Sequence, residues 1–112
     1  MLAGVDQIHL FGYSYGGGVA IQTASSDDRI TKIALMAPVE SLRLDSILPA
    51  LTAIDRPLLI ILGEHDRITH PDSISNNAPA HADINWIDAD HSFLSHMEDV
   101  ERLVIDFFRP DR

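Results

Sequence analysis

Apolar and polar residues alternate along Val5-Asp6-Gln7-Ile8-His9-Leu10 and then close on Phe11, the pattern of a half-buried strand. Further on, Pro57-Leu58-Leu59-Ile60-Ile61-Leu62 is an unbroken apolar run, as expected of a parallel strand buried on both faces. With a shorter run at Ile84-Asn85-Trp86-Ile87, the pattern predicts strands near 7–12, 32–37, 58–62 and 84–87. Helical segments fall between them. One runs from about Gly16 to Ser25 and stops at Ser26-Asp27-Asp28. A second lies near 42–53, where Leu44, Ile47, Leu48 and Leu51 have helical spacing and Pro49 argues for a break or a late start. A short third opens at Pro71, a favoured first helical position, and fades at Asn76-Asn77. The last is the most amphipathic: Met97, Val100, Leu103, Val104 and Phe107 share one face, Phe108 borders it, Ser95 with Glu98 reads as a capping box, and Pro110 marks its end.

This alternation predicts an α/β fold, a parallel sheet of about four strands with helices. Right-handed crossovers between strands joined in simple succession put the first three helices on one face and leave only the last for the other. The first strand, Ile8-His9-Leu10-Phe11, is then a bare edge.

Between the first strand and the first helix the chain reads Gly12-Tyr13-Ser14-Tyr15-Gly16-Gly17, a G-x-S-x-G with one more glycine. In this context the pattern describes a nucleophile elbow, a turn that lifts a serine hydroxyl above the end of a sheet. A serine held there with φ > 0 costs about 1–3 kcal/mol. Gly12 and Gly16 are expected to clear the space around it, and Gly17 and Gly18 to let the helix pack close to the strand. The helix N-terminus points at the serine, so the Tyr15 N–H is placed to face an oxyanion. Tyr15 is expected to line a pocket and Tyr13 to pack beneath the elbow.

A nucleophilic serine needs a base, and the base an orienting carboxylate. Asp66, in Gly63-Glu64-His65-Asp66, follows the buried strand, and His91, in Asp90-His91-Ser92-Phe93, follows the next one. Both fall at the carboxyl edge of the sheet, where open α/β sheets place their sites. Rival acids are Asp88 and Asp90, which precede the histidine too closely to reach its Nδ1 easily, and Glu64, expected to face solvent. The bland alternatives are a passive serine on a glycine-rich turn, a surface aspartate at 66 and a structural loop histidine at 91. His9 lies within the first strand and His96 is expected to be solvated. His65, His70 and Asp72 lack the compact spacing of a zinc site, and with no cysteine in the chain no metal is expected.

Taken together, these motifs resemble the C-terminal half of an α/β-hydrolase, over nearly all 112 residues. Gly12 to Gly17 matches the family's elbow, Gly63 to Asp66 its G-x-x-D acid loop, continued from Arg67 to Pro71, and Asp90 to Phe93 its histidine loop. The nearest resemblance is to small, lidless esterase and dienelactone-hydrolase-like members, since about twenty residues between Pro38 and Leu58 leave room for one helix and no cap. The resemblance implies a Ser14-Asp66-His91 triad, no cofactor, and an ester-type small-molecule substrate. Serine at position 14 argues against the dehalogenase and epoxide-hydrolase branches, which the resemblance implies use aspartate there. Thirteen residues precede Ser14, so the resemblance also implies one N-terminally truncated domain over 1–112, whose second oxyanion donor belongs to a segment outside it. The bare first strand is expected to pair with a second copy of the chain or with that N-terminal half.

Composition narrows the partners. Hydrophobic residues make up 46% of the chain, charged residues 22%, and mean hydropathy is +0.04. The formal charge of −9 and pI near 4.8 oppose binding to nucleic acid or to anionic membrane surfaces. No apolar run approaches a membrane span, and the absence of cysteine fits a cytoplasmic location. Two functions are thus in view: a serine hydrolase of carboxylic esters or thioesters, and a catalytically weak or inactive hydrolase fragment that serves as an assembly or binding module.

Overall fold

A computed structural model describes residues 5–42 and 45–110. Its elements, in order, are β1 (Ile8–Tyr13), α1 (Tyr15–Ala24), β2 (Ile30–Met36), β3 (Ser41–Leu42), β4 (Asp45–Ser46), α2 (Leu48–Thr52), β5 (Leu58–Gly63), α3 (Pro71–Asn77), β6 (Asp83–Ile87), a 3₁₀ turn (Leu94–His96) and α4 (Met97–Phe108). β1, β2, β5 and β6 form one parallel sheet in that spatial order. β3 and β4 pair as a small antiparallel hairpin.

The period of two along the strands divides the core between the faces. Ile33, Leu35, Leu58, Ile60 and Leu62 meet Ala20, Ile21 and Ala24 of α1, Leu51 of α2 and Ile74 of α3. Ala34, Met36, Leu59 and Ile61 turn the other way, against Val100, Leu103, Val104 and Phe107 of α4. Three helices thus share one face and one covers the other, as the right-handed crossover rule requires. β5 is buried along its whole length.

Three local expectations need correction. The second helix is confined to Leu48–Thr52, with Pro49 in its first turn, because the residues before it are taken up by the paired strands β3 and β4; Leu44 lies outside the described residues. Ile47 and Leu51 are nevertheless buried, so the apolar spacing reported a real core contribution with the wrong local shape. The capping box at Ser95 does not form: His96 is the N-cap of α4, and no side chain caps it, because the 3₁₀ turn carries the chain into the helix. His96 is half-buried rather than fully solvated, with its Nδ1 buried and without a partner.

α4 lies over β2 and β5 and reaches β1 where Phe108 stacks on His9, with ring centroids 5.2 Å apart, while the middle of β1 is less covered on that face. Phe11 is 42% exposed there, and β1 has no neighbour on its outer side among the described residues. No helix among the described residues is long and apolar enough to cross a membrane.

Candidate active site

The site begins at the end of β1. Ser14 is held at φ 57°, a left-handed conformation that side chains disfavour. Its N–H donates to the Met36 carbonyl at 2.9 Å, and its own carbonyl accepts from Gly17 N–H at 2.9 Å and Val39 N–H at 3.0 Å. These bonds fix the turn from both sides. A Cβ on Gly12 would sit 2.4 Å from the Gly16 carbonyl oxygen, so glycine is required at position 12. One on Gly17 would meet Pro38 at 2.8 Å, so Gly17 brings α1 against the loop after β2. Gly16 differs from the expectation: a Cβ there would meet nothing within 4 Å, and it is the Gly16 carbonyl, rather than a missing side chain, that crowds Gly12.

β5 and β6 deliver the other two groups. Gly63 ends β5, and the following loop is tied to the end of β6 through Glu64 N–H to Ile87 O at 2.9 Å and His65 N–H to Ala89 O at 3.0 Å. Asp66 is turned inward, its side chain 0% exposed. Its Oδ1 accepts from the N–H groups of Ile68 (2.9 Å) and Thr69 (3.0 Å), and its Oδ2 from the Thr69 hydroxyl at 2.7 Å and His91 Nδ1 at 2.9 Å. Burial pushes the Asp66 carboxyl up, but the hydrogen bonds from His91, Thr69 and Ile68 together outweigh it and hold the group below its ordinary value. Asp66 is therefore an anion at neutral pH. An ionised carboxylate only accepts, so the proton of neutral His91 lies on Nδ1. Nε2 is then left as an acceptor, 2.8 Å from the Ser14 hydroxyl.

The rival acids are engaged elsewhere. Asp88 Oδ1 lies 2.5 Å from His65 Nε2, and Asp90 takes the Ser92 N–H and hydroxyl. Glu64 is exposed. Glu64, His65 and Asp88 bring potential ligand atoms within 4.8 Å of one another, all on exposed residues; the grouping differs from the His65, His70 and Asp72 considered from spacing, and His70 pairs instead with Glu40.

As the first residue of α1, Tyr15 has an N–H with no acceptor inside the helix. The Tyr15 side chain is exposed, and a cleft of about 550 Å³ beside His91 is lined by Tyr13, Arg67 and Ile68 without it. A smaller cleft of about 380 Å³, lined by Asp88 and His96, touches none of Ser14, Asp66 and His91.

Residues 2–105 match the dienelactone hydrolase family. The chain belongs to that family. No curated protein matches it. Among solved structures, this family member is similar to an esterase from Pyrococcus furiosus at 17% identity and TM-score 0.78, covering 90% of this chain and 53% of that one. It is similar to an enol-lactonase from Burkholderia xenovorans at 17% identity and TM-score 0.77, covering 92% and 66%. It is also similar to a meta-cleavage product hydrolase from Pseudomonas fluorescens at 14% identity and TM-score 0.81, covering 96% and 66%. These likenesses show the α/β-hydrolase fold, and the chain spans 53–66% of the length of those three proteins.

In this dienelactone hydrolase family member the roles of two residues were not expected from the sequence, and a third lies elsewhere than expected. Thr69 supplies two of the donors on Asp66, next to the Ile68 N–H two residues on that makes an Asx turn of the acid loop. Phe93, the last residue of the histidine-loop motif, is fully buried at φ 56° and packs where that loop turns, a burial and a backbone conformation that the motif does not specify. Tyr13 does not pack beneath the elbow. It is 39% exposed, donates its hydroxyl to the His91 carbonyl at 2.7 Å, and stacks on the His91 ring with centroids 5.5 Å apart.

Proposed function

We propose that the chain is a serine hydrolase acting on carboxylic esters or thioesters through Ser14, His91 and Asp66. The observation that supports this best is the position of the His91 imidazole, 2.8 Å from Ser14 Oγ on one side and 2.9 Å from Asp66 Oδ2 on the other. In the first half-reaction Ser14 Oγ attacks the carbonyl carbon while His91 Nε2 takes the hydroxyl proton. Asp66 holds the imidazole in the needed tautomer and stabilises its cation. The carbonyl oxygen becomes an oxyanion facing the Tyr15 N–H. Collapse expels the alcohol or thiol, which leaves with the proton from His91. Water then attacks the acyl-serine, again with His91 as base, and releases the acid and free Ser14. Hydrolysis of p-nitrophenyl acetate and of an acetyl thioester by the chain, lost in Ser14→Ala, tests the reading; equal rates for both proteins would remove it.

A second reading, a weak or inactive hydrolase fragment acting as an assembly module, is favoured by the open side of β1. Phe11 on that strand, with Met97 and Ile105 of α4, leaves apolar surface uncovered. Under either reading, we propose that further polypeptide covers this edge, as a second copy of the chain or as an N-terminal half of the kind the α/β-hydrolase resemblance implies. An N-terminal half would also carry the second oxyanion donor, whose loss typically costs about 10²–10³ in rate. The two readings separate on whether the uncovered chain turns over an activated ester.

A further inference from the structure

Ser14 and His91 stand on opposite edges of the sheet. Ser14 follows β1, His91 follows β6, and β2 and β5 lie between them. At a spacing of about 4.8 Å per strand, the two edges are about 14 Å apart. Two loops must therefore reach toward each other to bring Oγ and Nε2 to hydrogen-bond distance. The histidine loop is tied internally, through the Ser92 N–H and hydroxyl to Asp90 Oδ1 and Phe93 N–H to Asp90 O, and none of those bonds reaches β1.

Tyr13 makes the crossing. Its hydroxyl donates to the backbone carbonyl of His91 at 2.7 Å, and its ring lies on one face of the imidazole, with 26° between the planes. One contact fixes where the His91 backbone sits relative to the elbow. The other blocks rotation of the ring away from Ser14. Since Tyr13 is covalently adjacent to Ser14, both contacts are referenced to the nucleophile. Burial first, then the charges of Asp66 and Asp90, push the Tyr13 phenol up, so it keeps its proton and its role as donor at neutral pH.

We propose that Tyr13 is a positioning residue for the Ser14–His91 pair, holding the imidazole in register with the serine hydroxyl through the His91 carbonyl and the ring face. This rests on the reading of Ser14 and His91 as nucleophile and base. The charged or titratable groups around the ring are Asp66 on the acid loop, Asp90 preceding His91, and Arg67 and His65 at the adjoining cleft. None of them contacts the His91 backbone carbonyl in place of Tyr13.

The test compares Tyr13→Phe and Tyr13→Leu with the unaltered chain and with Ser14→Ala. Tyr13→Phe keeps the ring and loses one hydrogen bond. It should lower kcat for p-nitrophenyl acetate about fivefold with KM unchanged and the thermal midpoint near that of the parent. Tyr13→Leu loses both contacts and should cost about 10²-fold, the scale of a small misplacement of reacting groups. Nitrogen-15 NMR of the His91 ring gives a readout that needs no turnover. The unaltered chain should show a single Nδ1–H tautomer in slow exchange with water, and Tyr13→Leu a mixed tautomer population or faster exchange. Unchanged rates and unchanged His91 spectra in both variants, with Ser14→Ala silent, would overturn the proposal. If the unaltered chain hydrolyses nothing, the reading of Ser14 as nucleophile fails and the His91 spectra alone decide the role of Tyr13. If Tyr13→Leu does not fold, Tyr13→Phe decides it.

Discussion

A Cβ added to Gly63 would come within 2.6 Å of the Ala89 carbonyl oxygen. That close approach joins the end of β5 to the loop after β6, and so sets how far Asp66 stands from His91. Gly63→Ala must push the two loops apart, because the obstacle is backbone and cannot swing away. A drop in ester hydrolysis of at least about 10-fold is expected, with a loss of stability of about 1–3 kcal/mol by thermal or urea unfolding. Unaltered kinetics would mean that the loop spacing is set elsewhere.

The elbow glycines make a sharper contrast. Gly12→Ala places a Cβ against the Gly16 carbonyl at 2.4 Å, whereas Gly16→Ala places one in open space. Gly12→Ala should fail to accumulate as folded protein or lose activity entirely, while Gly16→Ala should stay within about 0.5 kcal/mol of the parent and retain activity. Circular dichroism melts of the pair, with ester hydrolysis, check this.

Asp66→Asn keeps an oxygen for the Thr69 and Ile68 N–H groups but presents a different charge to His91 Nδ1. The imidazole then loses the partner that sets its tautomer, and kcat should fall about 10³–10⁴-fold with a much smaller change in KM. A KM effect without a kcat effect would assign Asp66 to substrate binding.

Three carboxylates have native values held down, Asp66, Asp27 and Asp90, and the first two serve to test acid stability. The native value of Asp66 is held down despite burial by its hydrogen bonds, and Asp27 is lowered to about 2 by hydrogen bonds from the Arg29 side chain and backbone and by its charge. A depressed native value means that the unfolded chain binds the proton first. The contribution of each group is complete above its unfolded value near about 3.9 and is lost as pH falls toward its native value. Thermal midpoints should therefore drop below about pH 4, and the drop should be shallower in Asp66→Asn and Asp27→Asn. A midpoint that responds identically in all three proteins would contradict the assignment.

The uncovered side of β1 predicts association. Sedimentation or light scattering of the purified chain should find self-association, or a monomer whose unfolding is poorly cooperative. A dilute monomer that unfolds in one sharp transition would show that Phe11 and the β1 edge need no cover.

Much of this arrangement was legible in the residues because it rests on long periodic signals and chain order. The unbroken run at Leu58 to Leu62, between Pro57 and Gly63, has the length and flanks of a strand buried on both faces, and simple succession of parallel strands left one placement for the helices. Ser14, Asp66 and His91 each follow a strand, and the structure brings them within hydrogen-bond reach. What escaped was local or long-range in ways that periodicity does not encode. Leu44, Ile47, Leu48 and Leu51 have helical apolar spacing, yet among the described residues the helix covers only Leu48–Thr52 and follows the paired strands β3 and β4. Ser95 and Glu98 have the spacing of a capping box, yet the chain enters α4 through a 3₁₀ turn at His96. Tyr13 bonds to a residue seventy-eight positions away, a contact that appears only when the two sheet edges are folded toward each other.

The central claim is that the Ser14 hydroxyl is a nucleophile activated by His91. Incubation with a fluorophosphonate followed by peptide mass spectrometry addresses it without assuming a substrate. The account predicts a single phosphonyl adduct on the peptide carrying Ser14, absent in Ser14→Ala and formed far more slowly in His91→Ala. No adduct on that peptide at any pH from about 6 to 9, a range in which a histidine base can act, or an adduct that persists in Ser14→Ala, would contradict it.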